Sequence, residues 1–500
     1  MKKMNLLVMS LVSAAALSFS SCSSNDDLGG GAGTQSQVKG FYMTLAVQTP
    51  TSNGTRTSIE NPIPTEDATA VEAAVKTGTF YLVDSKGTVV FSKTLTAQDW
   101  SGAVKDQADS KKDGRTTLQI QVENVAAGAT YKVYFKAGST AMDGVSEPVA
   151  AGTTGIFTAT GIEKTFTAAA AFDKTCAGDN NFSMFNQNDE TTKGNAYTVQ
   201  FTDENKVAAT PAKVKYNNVE SAIKIERVTA RVDVPTSATT LTTEELPSTA
   251  SQALKNAVAD AKKKVDNIQL VSYALSNVTN KTYVMQTWID KNLTIPEGVT
   301  LSQPKTAFGT KYLLDATCFK PLATATNDYI FENNKAGEEA TAMYFQYKVT
   351  LKTSEFEGKA DFEDGTFYRY NNVIYTSFAQ IYKAYADVAG LFDGKTAEEM
   401  KTAAKTASAT EADLAAFREK YQIEVFKGGM TYYKQVITDK QLGKDVIQRN
   451  TIYRLNVNKI FNVGAQVPNG EIDKNGLFYL DVTVTVNPWV LNTQDVTLGD

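Results

Sequence analysis

Two segments of alternating apolar residues, one near each end of the chain, constrain the fold most. In the first segment one face carries Phe41, Met43, Leu45 and Val47. In the second segment one face carries Phe478, Leu480, Val482, Val484 and Val486. A period of two is typical of a β-strand with one buried face. Two strands of the same pattern suit the same hydrophobic slot, and an unpaired sheet edge accepts such a strand.

The residues before the first strand are typical of an exported precursor. Lys2 and Lys3 precede an apolar run, Leu6 to Leu17, which is followed by small residues in front of Cys22. We predict a lipoprotein signal peptide over residues 1–21 and a lipidated, palmitate-bearing Cys22. The polar, glycine-rich stretch that follows suits a tether at a membrane surface. The alternative is a conventional signal peptide with an incidental cysteine.

A loop with a single arginine follows the first strand. Pro50, Asn53 and Gly54 mark the loop, and Arg56 is an accessible site for a trypsin-like protease. An ordinary surface arginine is the alternative interpretation. At the other end, the turn-rich stretch 468–476 would let the last strand swing away from the body.

Trp489 follows the last strand directly after Pro488. Buried aromatic residues dominate interface energetics, so Trp489 is a candidate anchor for docking of this segment. The alternative is that it seals the end of its own sandwich. The sequence also leaves open whether residues 490–498 add a second strand.

The pattern of the body predicts a mainly β protein with two antiparallel β-sandwich domains of Greek-key, transthyretin-like type. The length of 500 residues and the many Thr, Tyr and Phe in alternating runs agree with this class. Pro235 and a Ser/Thr-rich stretch after a strand at 227–234 mark the domain break. Further strands are predicted at 79–83, 88–95, 116–122, 130–136, 197–202, 267–275, 281–287 and 342–351.

Three segments are predicted to be helical. Glu66 to Lys76 follows two prolines, and Ser251 to Lys264 opens the C-terminal half. A helical insertion in the C-terminal domain spans residues 377–422, with a break at Gly394 and a restart capped by Thr396. We expect its Ala-rich second part to pack as an amphipathic cover rather than as an adhesive surface.

Composition argues against an enzyme and against a metal or cofactor site. The chain has no histidine, which excludes Ser-His-Asp and Cys-His sites and histidine-containing metal sites. The acidic run 361–365 lacks the spacing of a calcium loop and is read as a turn. Cys176 and Cys318 are too few for a disulfide framework, and we expect two separate buried thiols, with a single bridge between them as the alternative. A net charge of −5 argues against a nucleic-acid partner.

Four stretches in order carry a resemblance to a known family. They are the signal with Arg56 after a first strand, residues 225–232, residues 428–433 with 446–453, and the ending 482–489. The chain resembles the fimbrillins, the subunits of the type V pili of Bacteroidetes-type bacteria, and among them the shaft subunit of the short, or minor, fimbriae. The middle of the chain is not matched residue by residue. Arg449 and Asn450 in the third stretch are read as structural residues that tie backbone groups at a strand start.

The resemblance implies an assembly mechanism. An Arg-specific surface protease cuts the lipidated outer-membrane precursor after Arg56, so that Thr57 becomes the mature N-terminus. Removal of the first strand opens a groove, which the C-terminal strand of a neighbouring subunit fills, giving a head-to-tail homopolymer on the cell surface with fimbrial tip and anchor proteins as partners. The implied segments are a propeptide at 22–56, sandwich domains at 57–235 and 236–500, and a donor segment at 477–498.

Two alternatives remain at this point. The chain is a tip or anchor accessory protein of the same system, or it is a surface lipoprotein that binds glycans through exposed aromatic residues. A tip subunit would lack a usable donor strand, whereas this chain ends in a good one, and an anchor would retain its lipid. The glycan-binding alternative predicts saccharide binding by a stable monomer with an uncut N-terminus.

Overall fold

The computed structural model describes the parts of the chain that carry most of the predicted strands and helices. The described residues are 40–48, 66–69, 72, 75–100, 103–105, 115–168, 176–178, 182–188, 196–289, 292–302, 318–407, 411–439, 442–466 and 480–491. Among the described helices, none is long and apolar enough to cross a membrane.

The strands follow one another along the whole described chain. Those up to residue 227 are β1 (Phe41–Gln48), β2 (Glu66–Ala68), β3 (Gly78–Val83), β4 (Val89–Leu95), β5 (Val104–Lys105), β6 (Arg115–Val122), β7 (Thr130–Ala137), β8 (Thr165–Thr167), β9 (Met184–Asn186), β10 (Thr198–Gln200), β11 (Ala212–Lys213), β12 (Lys215–Tyr216), β13 (Val219–Glu220) and β14 (Ile223–Arg227). Those after residue 227 are β15 (Ala230–Val232), β16 (Thr236–Ser237), β17 (Val265–Ser276), β18 (Lys281–Tyr283), β19 (Thr287–Ile289), β20 (Asn292–Thr294), β21 (Lys320–Pro321), β22 (Asp328–Ile330), β23 (Ala342–Leu351), β24 (Phe367–Tyr370), β25 (Val373–Tyr375), β26 (Glu424–Phe426), β27 (Met430–Val436), β28 (Thr451–Ile460) and β29 (Leu480–Leu491). The helices are α1 (Ala97–Trp100), α2 (Gln252–Lys264), α3 (Phe378–Ala384), α4 (Ala397–Ala407) and α5 (Glu411–Tyr421).

One large sheet is built from strands that precede residue 228. Its strand order is β13-β12-β10-β7-β9-β14-β1-β6-β5, with β11 beside β1 and the β3-β4 hairpin beside β7. Apolar side chains of β1, β3, β6, β7 and β14 belong to a single hydrophobic cluster, so the sheet curves around one core. This arrangement places β1 in the interior of the sheet.

Two further sheets face each other and form a sandwich. One has the order β2-β29-β28-β15-β22, with β16 also on β28, and the other has the order β21-β17-β23-β27. Their inner faces share a second hydrophobic cluster, to which Val232, Phe345 and Leu455 contribute. The chain leaves the large sheet at Arg227 and enters the sandwich at Ala230, so the strand predicted over 227–234 is wrong as a single element. The predicted boundary between residues 235 and 236 stays a prediction.

The helical insertion has a core of its own. Helices α3, α4 and α5 pack with the small sheet β25-β24-β26 around Phe378, Met400, Leu414 and Phe417. The predicted cap of α4 is confirmed, because the Glu399 amide donates to Thr396 Oγ1 at 3.3 Å and the Thr396 amide donates to the Glu399 carboxylate at 2.7 Å. The helix predicted at 251–264 is also confirmed as α2.

Two hairpins turn on pairs of asparagines. Asn217 and Asn218, between β12 and β13, have φ of 50° and 64°, and Asn371 and Asn372, between β24 and β25, have φ of 48° and 65°. Asparagine tolerates the left-handed region that such two-residue hairpin turns require. These pairs therefore fix the register of both hairpins.

The mainly β class is confirmed, but three details of the predicted elements are wrong. Parallel pairs accompany the antiparallel ones, between β1 and β14, β15 and β28, and β2 and β29. The stretch predicted as a helix from Glu66 to Lys76 begins instead as strand β2, although Glu72 within it is helical. The strand predicted over 281–287 is divided into β18 and β19. In the first two cases long-range backbone pairing decides the structure against the local pattern; in the third, β18 pairs with the distant β8 and β19 with the adjacent β20.

Candidate functional site

The first strand lies between neighbours on both of its edges. Along its whole length β1 pairs antiparallel with β6, from Phe41 opposite Val122 to Gln48 opposite Arg115. On the other edge it pairs parallel with β11 at Met43 and with β14 at Val47. β1 is therefore an internal strand, although it comes first among the described strands.

The alternating face of β1 points into the core, as the sequence predicts. Phe41 is 8% exposed, and Met43, Leu45 and Val47 are fully buried. The Phe41 ring also meets Phe201 edge to face, with 5.5 Å between ring centroids. Without β1 the large sheet would have a slot four apolar side chains long, lined by the edges of β6, β11 and β14.

The chain enters β1 through Gly40. Its φ is +140°, and a Cβ atom there would lie 2.8 Å from the carbonyl oxygen of Val122. A side chain at this position would push the start of β1 away from β6. The glycine therefore allows the two strands to pair up to their ends.

The last described strand lies in the sandwich and has neighbours on both edges at its C-terminal end. β29 pairs antiparallel with β28, from Leu480 opposite Ile460 to Pro488 opposite Thr451. On its other edge it pairs parallel with β2, where Trp489 lies opposite Glu66. The backbone of Leu480, Val482, Val484, Val486 and Trp489 thus belongs to a strand of the subunit's own sheet, and the pairing extends to Leu491.

β1 and β29 lie in different sheets. No pairing between them occurs among the strands that the structure describes. The structure thus does not bring the two predicted strands together within one chain. Four other predicted site residues, Cys22, Arg56, Thr57 and Phe478, lie outside the described residues.

A buried ionic cluster joins the large sheet to the sandwich. Glu72 accepts from Arg231 Nη1 at 3.1 Å and from the Tyr329 hydroxyl at 2.7 Å. Arg231 Nε also donates to Asp233 at 2.6 Å, and Asp233 accepts from Arg454 Nη2 at 2.6 Å. Glu72, Arg231 and Asp233 are buried. Each of these three charged side chains has an oppositely charged or hydrogen-bonding partner, as burial of a charge requires.

Sequence reasoning did not identify Glu72. It lies in a stretch interpreted as a short helix, and its partners follow more than 150 positions later. The usable signal is in Ile225 to Val232, where two arginines interrupt an apolar strand pattern. Arginines at inward positions require acidic partners from elsewhere in the chain.

Arg449 ties backbone groups together, as predicted. Its guanidinium donates to the carbonyl oxygens of Val284 at 3.0 Å and Tyr283 at 2.6 Å, and it pairs with Glu332 at 2.8 Å. Arg449 and Glu332 are both at most 1% exposed. The nearby Glu226 carboxyl is buried, and burial raises its pKa to about 8 against the opposing effect of the Arg449 charge. Glu226 is therefore mostly protonated at neutral pH.

The described residues contain no group of three or more Cys, Asp or Glu side chains that could hold a metal ion. Cys176 is a buried free thiol, and Cys318 is a half-buried one. Burial raises the pKa of Cys176 to about 12, which keeps it protonated.

The family comparison concerns the C-terminal part of the chain. Residues 424–495 match the C-terminal region of fimbrillin, the major fimbrial subunit protein type IV. This match confirms the resemblance to fimbrillins and supports a role as a fimbrial subunit at the cell surface. No curated protein sequence matches the chain.

Three solved structures match the chain at low sequence identity and low TM-score. A candidate cell adhesion protein of Parabacteroides distasonis is 13% identical, with 91% of this chain and 99% of that chain covered and a TM-score of 0.44. A second structure of a candidate cell adhesion protein from the same organism is 12% identical, with 90% and 98% covered and a TM-score of 0.44. A fimbrial assembly protein of P. distasonis is 9% identical, with 63% and 82% covered and a TM-score of 0.28.

Proposed function

We propose that this chain is a structural subunit of a cell-surface fimbria and that it polymerises by strand exchange. In this proposal an outer-membrane precursor, lipidated at Cys22, is cut after Arg56 by an Arg-specific protease. Thr57 becomes the new N-terminus, and β1 leaves with the removed segment. The C-terminal strand of a neighbouring subunit then fills the vacated slot.

The position of β1 is the observation that carries the proposal. β1 is internal to the sheet, and its three partner strands lie at residues 115–122, 212–213 and 223–227. The chain reaches its next described strand, β2, through residues 49–65. A cut in that connection frees β1 without separating any other pair of consecutive strands.

The slot is deep enough to hold a replacement strand firmly. Burial of four apolar side chains is worth about 6–12 kcal/mol before ordering costs are subtracted. The two edges left by β1 would also offer unpaired backbone groups, which a strand of another chain satisfies. The proposed donor face comprises Phe478, Leu480, Val482, Val484 and Val486, with Trp489 as the anchor beyond it.

Exchange of this kind extends into a filament. The donor strand and the slot are different surfaces of identical subunits, so the contact is head-to-tail and does not close on itself. The ends of such a polymer require other proteins, and we assign these roles to fimbrial tip and anchor proteins.

Digestion with an Arg-specific protease tests the proposal. The purified precursor and its Arg56→Ala variant are digested in parallel, and the products are analysed by N-terminal mass analysis and by size. We expect Thr57 as the new terminus and ladders or filaments only for the cleavable protein. A stable monomer after cleavage at Arg56 would contradict polymerisation and favour a tip, anchor or glycan-binding role.

A further inference from the structure

The outer edge of the C-terminal strand is covered at its last three residues by the first described strand that follows the proposed cleavage site. β2 pairs parallel with β29, with Glu66, Asp67 and Ala68 opposite Trp489, Val490 and Leu491. The other edge of β29 is held by β28. β29 therefore has to separate from two neighbours before it can enter another subunit.

Glu72 fixes the position of β2. It follows Ala68 by four positions and is 1% exposed. Its two carboxylate oxygens accept from Arg231 Nη1 at 3.3 Å and 3.1 Å, and its backbone carbonyl accepts from Arg227 Nε at 3.2 Å. Arg231 belongs to β15 and Arg227 to β14, so Glu72 is tied to both the sandwich and the large sheet.

The same short strand is connected to β1 on its other side. Residues 49–65 link Gln48 at the end of β1 to Glu66 at the start of β2, and Arg56 lies within this link. In the uncut chain β2 is thus restrained from both directions, by β1 and by Glu72. After a cut at Arg56 its covalent connection to β1 is lost, and its remaining connection is to the segment that carries Glu72.

We propose that β2, anchored by Glu72, is a latch that keeps β29 in its own subunit, and that the cut after Arg56 loosens this latch. This inference rests on the proposed function, because it assumes that β29 is the donor strand and that Arg56 is the cleavage site. One cut then has two effects. It allows β1 to leave the slot in the large sheet, and it weakens the pairing of β2 with β29, the strand that is to be donated.

The short length of β2 explains why the restraint matters. A strand of three residues has few backbone hydrogen bonds, and strands at a chain terminus fray. A covalent link to the buried β1 keeps β2 at a high effective concentration next to β29. Cleavage removes that link, so β2 dissociates more often and exposes the edge of β29.

Hydrogen exchange of the β29 amides measures this hold directly. Asp67→Pro and Ala68→Pro are made separately in the uncleavable Arg56→Ala chain, in which β1 still fills the slot. Both positions are needed because only one of two neighbouring amides faces the partner in a parallel ladder. Val219→Pro is the matched control, since Val219 is 68% exposed in the edge strand β13 of the other sheet.

We expect at least one of the β2 variants to speed exchange about tenfold at residues 489–491, which pair with β2; this is the effect of losing one or two hydrogen bonds. Exchange in β17 is expected to stay unchanged, and Val219→Pro is expected to leave β29 unchanged. If neither β2 variant changes β29, or if β17 accelerates equally, the latch is wrong.

The coupling to cleavage is measured on the nicked monomer, isolated by size before β1 departs. We expect faster exchange in β29 than in the uncut chain. Equal exchange in the two forms overturns the coupling, even if the nicked protein later polymerises as the proposed function requires. Faster exchange without polymerisation would contradict the proposed function and leave the latch intact.

Discussion

Replacing Leu45 with alanine is expected to lower the free energy of unfolding of the uncut precursor by about 2–5 kcal/mol. Leu45 is fully buried in β1 and belongs to the core of the large sheet. The variant loses the transfer free energy of the side chain and leaves a cavity between packed strands. Chemical denaturation of the precursor measures the change.

The same substitution is expected to have no effect on the processed subunit. Residue 45 precedes Arg56, so the cut protein would have the same sequence in the variant and in the unaltered chain. Thr44→Ala is the matched control, because Thr44 lies on the opposite, half-buried face of β1 and its loss should cost less than about 1 kcal/mol. A processed Leu45→Ala subunit that differs in stability would show that β1 is still present.

Replacing Arg449 with alanine is expected to destabilise the protein by about 3–5 kcal/mol. The substitution leaves the Glu332 carboxylate buried without its charge partner, and it also removes the donors to the carbonyl oxygens of Val284 and Tyr283. Denaturation of the Arg449→Ala variant in the Arg56→Ala background measures the loss on a chain that stays monomeric.

Two controls separate the buried charge from general damage. The double variant Arg449→Met with Glu332→Gln removes both charges and is expected to lose less than Arg449→Ala alone. Lys459→Ala breaks an exposed ion pair with Glu244, in which the side chains are 34% and 57% exposed, and should cost at most about 1 kcal/mol. An equal loss in Arg449→Ala and Lys459→Ala would contradict the role of burial.

Alternation of apolar residues predicts the long strands well. The strand predicted at 342–351 is observed over the same residues as β23, and the face of β1 is buried as the pattern indicates. Such strands have one face in a core, so their period of two is imposed by burial. Helix α2 was predictable from the residues at its two ends, since Ser251 caps its start and lysines occupy its last turn.

Elements held by distant partners could not be predicted. Glu66 to Ala68 forms a strand only because β29, more than 400 positions later, offers a free edge. The parallel pairs of β1 with β11 and β14 likewise depend on the topology of the whole sheet. The local sequence does not indicate these distant partners, so short strands of this kind can be predicted only from their own weak pattern.

The candidate site was predictable in the same uneven way. Strand β1 was recognisable because Phe41, Met43, Leu45 and Val47 alternate with other residues over a full strand length. The position of β29 within its own sheet could not be predicted, because the turn-rich stretch before β29 indicates only where the chain can bend. The ionic cluster around Glu72 escaped prediction because its members meet through the packing of the two layers.

Disulfide mapping between subunits tests strand exchange most directly. One preparation carries Thr485→Cys in β29, and others carry Thr117→Cys, Gln119→Cys or Gln121→Cys in β6, the strand that pairs with β1. Cys176 and Cys318 are replaced by serine in all of them. After cleavage and mixing, we expect at least one disulfide between the Thr485 position of one chain and β6 of a chain from the other preparation. Filaments that form without any such disulfide at the three β6 positions would contradict the account.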